Sequence, residues 1–227
     1  MNDKYLFLFG ANPSLEEPNK EFIKKAGGRD ARIALLILNR EGWWDYLPRY
    51  TDTWRRFGAE QYSVILPGDN GHFNYQEIIT RLKESTGIFI GGGDTEKYHD
   101  YYANEPVKSL IREQHNRGIP IAGSSAGALI LPGISLISPN DTKNGKMISK
   151  NGIGLLTDIL IGVHFTEWND EKNLVAGLLE HKIDHGIGID EEACAVFRNG
   201  HFESAYGNAV HHVKIIDFVS GNYEIIS

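Results

Sequence analysis

Cysteine is nearly absent from this 227-residue sequence; Cys194 is the sole one. A single thiol closes no internal bridge, which excludes a disulfide-stapled scaffold. Flanked by Ala193, Ala195, Val196 and Phe197, it reads as an inert thiol in a buried strand. Long apolar runs are also lacking, and none approaches the roughly 18–20 residues that cross a bilayer. The run Tyr5–Phe9 is too short for a signal-peptide core and is read instead as a first buried strand. Basic excess is missing too: 23 Lys and Arg face 30 Asp and Glu, for a net charge of −7. That balance argues against nucleic acid as a partner. No ligand spacing such as His-Glu-x-x-His points to a metal, and no cofactor is implied. The glycines at 91–93 do not continue as the dinucleotide pattern Gly-x-Gly-x-x-Gly. There is no internal repeat or low-complexity stretch, so residues 1–227 are read as one domain. With no export signal, disulfide or membrane span, the expected location is the cytoplasm. No oligomeric state is implied.

What the chain does have is alternation. Apolar runs at Tyr5–Phe9, 32–38, 62–66, Gly87–Ile90 and 119–122 are separated by helical patterns, including Tyr75–Glu84, Thr95–Tyr102 and 105–116. Segment 43–57 also suits a helix, with Pro48 as a candidate break. Continuous apolar runs suit strands covered on both faces, and the alternation predicts a doubly wound, mostly parallel α/β sheet flanked by helices. Segment 132–151 is polar and without period, and is expected to be a surface loop. Beyond it come a further apolar run at 158–164 and a helix at Glu171–His181. Strands at 186–190, Ala193–Arg198 and from His201 onward make a small C-terminal strand and hairpin region, with Asn199-Gly200 as the hairpin turn.

Chemistry concentrates at Gly123-Ser-Ser125-Ala-Gly127, directly after a predicted strand and before a helix-like stretch. This is the setting of a nucleophile elbow, where a sharp turn lifts a serine hydroxyl off the sheet and needs small neighbours. The helix start behind Ser125 offers the Ala126 N–H to a developing oxyanion. The turn Gly91-Gly92-Gly93-Asp94 ends the preceding strand, so in a parallel sheet it lies beside the elbow at the ligand-binding edge. It is suited to a second oxyanion donor, or to capping a helix through Asp94. Of nine histidines, His72, His99, His115 and His181 fall in loops or on helices and are expected to be mostly solvated. His164 differs, closing a buried run just before Phe165. Asp190, Glu191 and Glu192 all follow a buried strand, and spacing does not choose among them as the acid that orients a histidine.

Taken together, Ile90-Gly-Gly-Gly-Asp-Thr, Gly123-Ser-Ser-Ala-Gly-Ala, Val163-His-Phe-Thr and Gly186-Ile-Gly-Ile-Asp-Glu occur in an order that resembles the dipeptidase E and cyanophycinase family of serine peptidases. That family is related in fold to the flavodoxin-like class I glutamine amidotransferases. The resemblance implies Ser125 as nucleophile, His164 as base and Glu191 as orienting acid, with oxyanion donors from Gly93 and Ala126. It implies a small peptide substrate near Gly92, Asp94 and Asp141, the last facing the substrate amino group, with Trp168 lining the pocket. Relatives prefer aspartate and carry an arginine-rich helix after the histidine; here that stretch has Lys172 and no arginine, leaving Lys172 or Arg198 as substitutes. The alternatives are a cyanophycinase-like amidohydrolase and a non-catalytic binding protein of the same fold. Glutamine amidotransfer is disfavoured, because it uses cysteine at the elbow.

Overall fold

Along β1 (Tyr5–Phe9) successive side chains point to opposite faces, and all five are buried. Tyr5, Phe7 and Phe9 join one apolar cluster while Leu6 and Leu8 join another. A strand buried on both sides needs a layer on each, and the rest of the chain supplies them. The computed structural model describes residues 2–68 and 71–226. After β1 come α1 (Glu16–Lys25), β2 (Arg32–Leu36), α2 (Pro48–Arg56), β3 (Gln61–Ile65), α3 (Tyr75–Glu84) and β4 (Gly87–Ile90). There follow α4 (Thr95–Tyr102), α5 (Val107–Asn116), β5 (Ile121–Ser124), α6 (Ala126–Leu129), β6 (Ile134–Ile137), β7 (Ile148–Asn151) and β8 (Leu160–Val163). The chain closes with α7 (Glu171–His181), β9 (His185–Ile189), β10 (Ala193–Arg198), β11 (His201–Gly207), β12 (Val210–Asp217) and β13 (Asn222–Ile226).

Seven strands form the main sheet in the order β11-β10-β1-β5-β4-β2-β3. The five from β1 to β3 run parallel; β10 and β11 are antiparallel additions. This is the expected doubly wound, mostly parallel α/β fold of flavodoxin-like type. On one face Phe22 and Ile23 of α1 and Tyr50 and Trp54 of α2 cover Phe7, Phe9 and Phe89. On the other lie Ile78 and Leu82 of α3, Tyr98 and Tyr102 of α4 and Ile111 of α5. Each such fully buried side chain stabilises the fold by about 1.5–3 kcal/mol before ordering costs.

The expected small C-terminal strand region is divided: β10 and β11 join the main sheet, while β9, β12 and β13 pair with β8 in a second sheet, ordered β13-β12-β9-β8. Ile161, Val163, Ile187 and Ile189 pack on the main core, while the other face packs Leu160 under Leu174 and Leu178 of α7. The chain crosses from this sheet to the main one between β9 and β10. Asn199 and Gly200, both at positive φ, form the expected turn between β10 and β11. Two expectations are corrected. Segment 132–151 is not a plain loop but holds the β6–β7 hairpin, in which Leu136 and Ile137 are buried. Segment 43–57 is divided: a 3-10 turn spans Trp43–Tyr46, and Pro48 opens α2 rather than breaking it, because the first helical position needs no N–H donor.

Candidate active site

β5 lies between β1 and β4, so its C-terminal end meets both neighbouring loops. Ser125 follows β5 with φ 51° and ψ −114°, a conformation that costs a non-glycine residue about 1–3 kcal/mol. The turn is held by its backbone. The Ser125 N–H donates to the Phe9 carbonyl at 3.0 Å, and the Ser125 carbonyl accepts from Ala128 and Leu129 at 2.9 and 3.0 Å. The small neighbours are obligatory. A Cβ on Gly123 would stand 2.5 Å from the Gly127 carbonyl oxygen, and one on Gly127 would strike the carbonyls of Ile90 and Gly91. Gly127 donates its own N–H to Gly91 at 3.1 Å, tying the elbow to the β4 turn.

His164 is carried by the other sheet. It leaves β8 at φ 50°. Phe165, next in the chain, fills the space over Gly188, where a Cβ would overlap its ring. The imidazole stacks on Trp168 with centroids 4.1 Å apart and planes 11° from parallel. Glu191 follows β9; its carbonyl accepts from Ala11 and Asn12 at 3.2 and 2.9 Å, and its N–H donates to the Glu167 carboxylate at 3.1 Å.

These three side chains meet. Ser125 Oγ is 2.9 Å from His164 Nε2, and His164 Nδ1 is 2.7 Å from Glu191 Oε1. An ionised carboxylate only accepts, so Nδ1 carries the proton and Nε2 accepts from the serine hydroxyl. The neighbouring acids have other partners: Asp190 accepts from the Thr166 N–H at 3.0 Å and Glu192 from the Asn12 side chain at 2.8 Å.

Gly92 donates its N–H to the buried Tyr50 hydroxyl at 3.4 Å, whereas among the described residues the Gly93 and Ala126 N–H groups have no acceptor. Burial raises the Tyr50 pKa above its usual value, against the pull of the Gly92 amide, so the phenol stays protonated. Asp94 caps α4 by accepting from Lys97 N–H at 3.0 Å. Asp141, after β6, faces this helix start. Burial raises its carboxyl pKa, Thr95 opposes the rise, Asp94 adds to it, and the His164 imidazole opposes it.

A cleft of about 300 Å³ opens beside Ser125, lined by His164, Glu191, Glu192, Gly92 and Gly93. Its far wall holds Arg40, Tyr46, Arg49 and Tyr50, which the sequence did not single out. Two expected cations lie elsewhere. Lys172 is exposed on α7 and is not among the residues lining the cleft. Arg198 pairs in register with Tyr5, whereas Ser124 pairs with Phe9 at the opposite end of β1, and Arg198 is bound to Asp3 and Glu203. His99 and His115, expected to be solvated, are buried; burial, with Lys4 adding, brings the His115 pKa down to about 4. Among the described residues no helix is long and apolar enough to cross a membrane.

Known proteins share both the sequence and the fold. The chain is 33% identical over 182 residues to a cyanophycinase of Synechococcus elongatus, covering 78% of this chain and 56% of that protein. It thus matches little more than half the length of that relative. It is 29% identical over 154 residues to a peptidase E of Shewanella amazonensis, covering 64% of this chain and 63% of that one. A crystal structure of a peptidase from an acI-B1 Actinobacterium superposes with a TM-score of 0.73 at 21% identity, over 99% of this chain and 94% of that one. A putative peptidase E protein from Listeria monocytogenes EGD-e gives 0.64 at 16% identity, over 91% of this chain and 100% of that one. The sequence model of peptidase family S51 matches residues 10–205, most of the chain, and the protein therefore belongs to peptidase family S51.

Proposed function

We propose that this chain, folded as one domain, is a serine hydrolase that cleaves short peptides through an acyl-enzyme. The observation that carries the reading is the hydrogen-bonded series Ser125 Oγ, His164 Nε2, His164 Nδ1, Glu191 Oε1, at 2.9 and 2.7 Å. Glu191 holds the imidazole in the tautomer that accepts at Nε2. His164 takes the hydroxyl proton as Ser125 Oγ attacks the scissile carbonyl. Negative charge then builds on the carbonyl oxygen, and the N–H groups of Gly93 and Ala126 receive it. Removing one such donor typically costs about 10²–10³-fold in turnover. His164 next protonates the leaving amine, and a water activated by the same nitrogen releases the acyl group. Asp141, beside the first turn of α4, is suited to the substrate amino group, and Trp168 supports the face of the imidazole.

A cleft of about 300 Å³ suits a short peptide rather than a folded chain. The peptidase E relatives favour that reading, while the cyanophycinase relatives favour the second, hydrolysis of an amide within a polymer such as cyanophycin. A fluorophosphonate probe tests the hydrolase reading common to both. Mass spectrometry is expected to find the label on Ser125 and to lose it in Ser125→Ala. A folded wild-type protein that resists the probe would be a binding protein instead. Turnover of a dipeptide library against a soluble cyanophycin polymer then separates the two substrates.

A further inference from the structure

The turn Gly91-Gly92-Gly93 ends β4 and lies against the elbow: a Cβ on Gly92 would stand 3.2 Å from the Ser125 Cβ. Two of its three N–H groups are bound, that of Gly91 to the Leu36 carbonyl at 2.9 Å and that of Gly92 to the Tyr50 hydroxyl at 3.4 Å. The Gly91 carbonyl accepts from the Gly127 N–H at 3.1 Å. Among the described residues the third N–H, that of Gly93, has no acceptor. Its direction is therefore set from elsewhere.

In a planar trans peptide the N–H points opposite to the C=O of the residue before it. The carbonyl that shares a peptide with the Gly93 N–H is that of Gly92, and it accepts from the Tyr98 hydroxyl at 3.2 Å. Tyr98 stands on α4, buried, with its ring 5.8 Å from that of Tyr102 and its edge 3.4 Å from where a Gly93 Cβ would be. Burial pushes its pKa well above the usual value, with Tyr50 and Tyr102 adding, so the hydroxyl keeps the proton it donates. The peptide needs such a hold. Glycine on both sides leaves it free to turn over, and Gly93, at φ 149°, already lies where a side chain would be strained.

We propose that Tyr98 is a positioning residue whose hydroxyl locks the Gly92–Gly93 peptide in the orientation that presents the Gly93 N–H to the oxyanion at Ser125. The assignment rests on the hydrolase reading of Ser125. The lock acts before any substrate arrives, so no reorganisation is needed when charge develops. A hydrogen bond at the carbonyl also polarises its peptide and makes the N–H of the same unit a stronger donor.

The rate at which a fluorophosphonate labels Ser125 tests this without a known substrate, because the P=O oxygen gains charge as the serine attacks. A P=S analogue puts a poorer hydrogen-bond acceptor in the same place, so the ratio of the two rates reads the oxyanion donors apart from the nucleophile. Tyr98→Phe removes only the hydroxyl. It should slow P=O labelling about 10- to 100-fold and P=S labelling much less, so the ratio falls. That loss is smaller than the roughly 10²–10³-fold for deleting a donor, because an unlocked peptide still visits the productive orientation. Tyr98→4-aminophenylalanine keeps a donor and should recover most of the rate. Tyr102→Phe is the control: one turn further along α4, its hydroxyl donates to the Ile37 and Ile65 carbonyls at 2.6 and 3.0 Å. It loses as much buried hydrogen bonding and should keep the wild-type ratio. A Tyr98→Phe protein that labels at the wild-type rate, or slows with both probes alike, overturns the lock, as does an equal fall of the ratio in Tyr102→Phe. If Tyr98→Phe lacks the native circular dichroism signal, Tyr98→4-fluorophenylalanine, which fills the hydroxyl's space without a proton to give, decides in the same way. Failure of the underlying reading looks different: a folded wild type that neither probe labels overturns the hydrolase and the lock with it.

Discussion

The two halves of the site are built by different means. Ser125 is held by backbone: its N–H and carbonyl are both bonded, and the glycines around it leave no room for a side chain. His164 and Glu191 come from loops leaving a smaller sheet; backbone amides bond their carbonyls, but side chains set their orientation: Phe165 seated over Gly188, Trp168 stacked on the imidazole, Glu167 on the Glu191 N–H. Backbone packing is all-or-none, since a misplaced carbonyl disturbs two strands at once. Side-chain support is graded, since each contact contributes on its own. Damage to the first half should therefore register as lost stability, and damage to the second as lost turnover in a folded protein.

The largest effect expected in the second half is from Glu191→Gln. The amide keeps the shape of the side chain but can donate to Nδ1 and so favour the wrong tautomer. Removing the equivalent function in a serine protease triad lowers kcat by about 10⁴-fold, and a drop of 10²–10⁴-fold is expected here. The carboxylate is partly exposed, so the melting temperature should stay close to wild type. Steady-state kinetics beside a thermal melt checks both. A melt lowered in step with activity would mean that this half is structural as well, and the contrast would be lost.

In the first half the sharpest probe is Gly127→Ala against Gly162→Ala. The new methyl at 127 would stand 2.7 Å from the Gly91 carbonyl oxygen, with Ile90 closer still. Overpacking of this kind costs about 1–3 kcal/mol or more when backbone must move. At Gly162 of β8 the same methyl would meet Phe165 and Leu174 at 3.5 and 3.7 Å, which is ordinary contact. There the change should stay within about 0.5 kcal/mol. Urea denaturation of the two variants measures the difference directly. Equal losses would remove the claim that the elbow is the more tightly determined half.

The same contrast explains what was legible in the sequence. A backbone-built turn leaves its mark as short-range composition, so Gly123, Ser125 and Gly127 stand out after an apolar run. The central strands of the main sheet were readable because burial on both faces makes them continuously apolar. The division into two sheets was not, because β8 and β9 are runs of the same kind and only their pairing sets them apart. Spacing left Asp190, Glu191 and Glu192 equivalent, and the family resemblance chose Glu191, the one that lies on His164. Segment 132–151 hid a hairpin because its two four-residue strands are separated by ten mostly polar residues. Arg40 and Arg49 were silent for a further reason. They stand nine positions apart and both reach the Tyr46 ring only because the chain turns at Trp43–Tyr46, while Lys172 and Arg198 drew notice by position and charge alone.

The smallest effect expected is at Trp168, where support is a single stacking contact. Its ring covers one face of the imidazole at 4.1 Å, so it limits rotation of His164 about the line joining Ser125 and Glu191. Aromatic stacking contributes about 0.5–1.5 kcal/mol beyond burial, which corresponds to a loss of roughly 2- to 12-fold in kcat for Trp168→Ala. Trp168→Phe keeps a flat face and should recover most of that loss. If stacking orients the base, kcat changes while KM for a short peptide holds, because the hydroxyl and the oxyanion donors are untouched. A rise in KM with kcat unchanged would instead assign Trp168 to the substrate, and His164 would then owe its orientation to Glu191 alone.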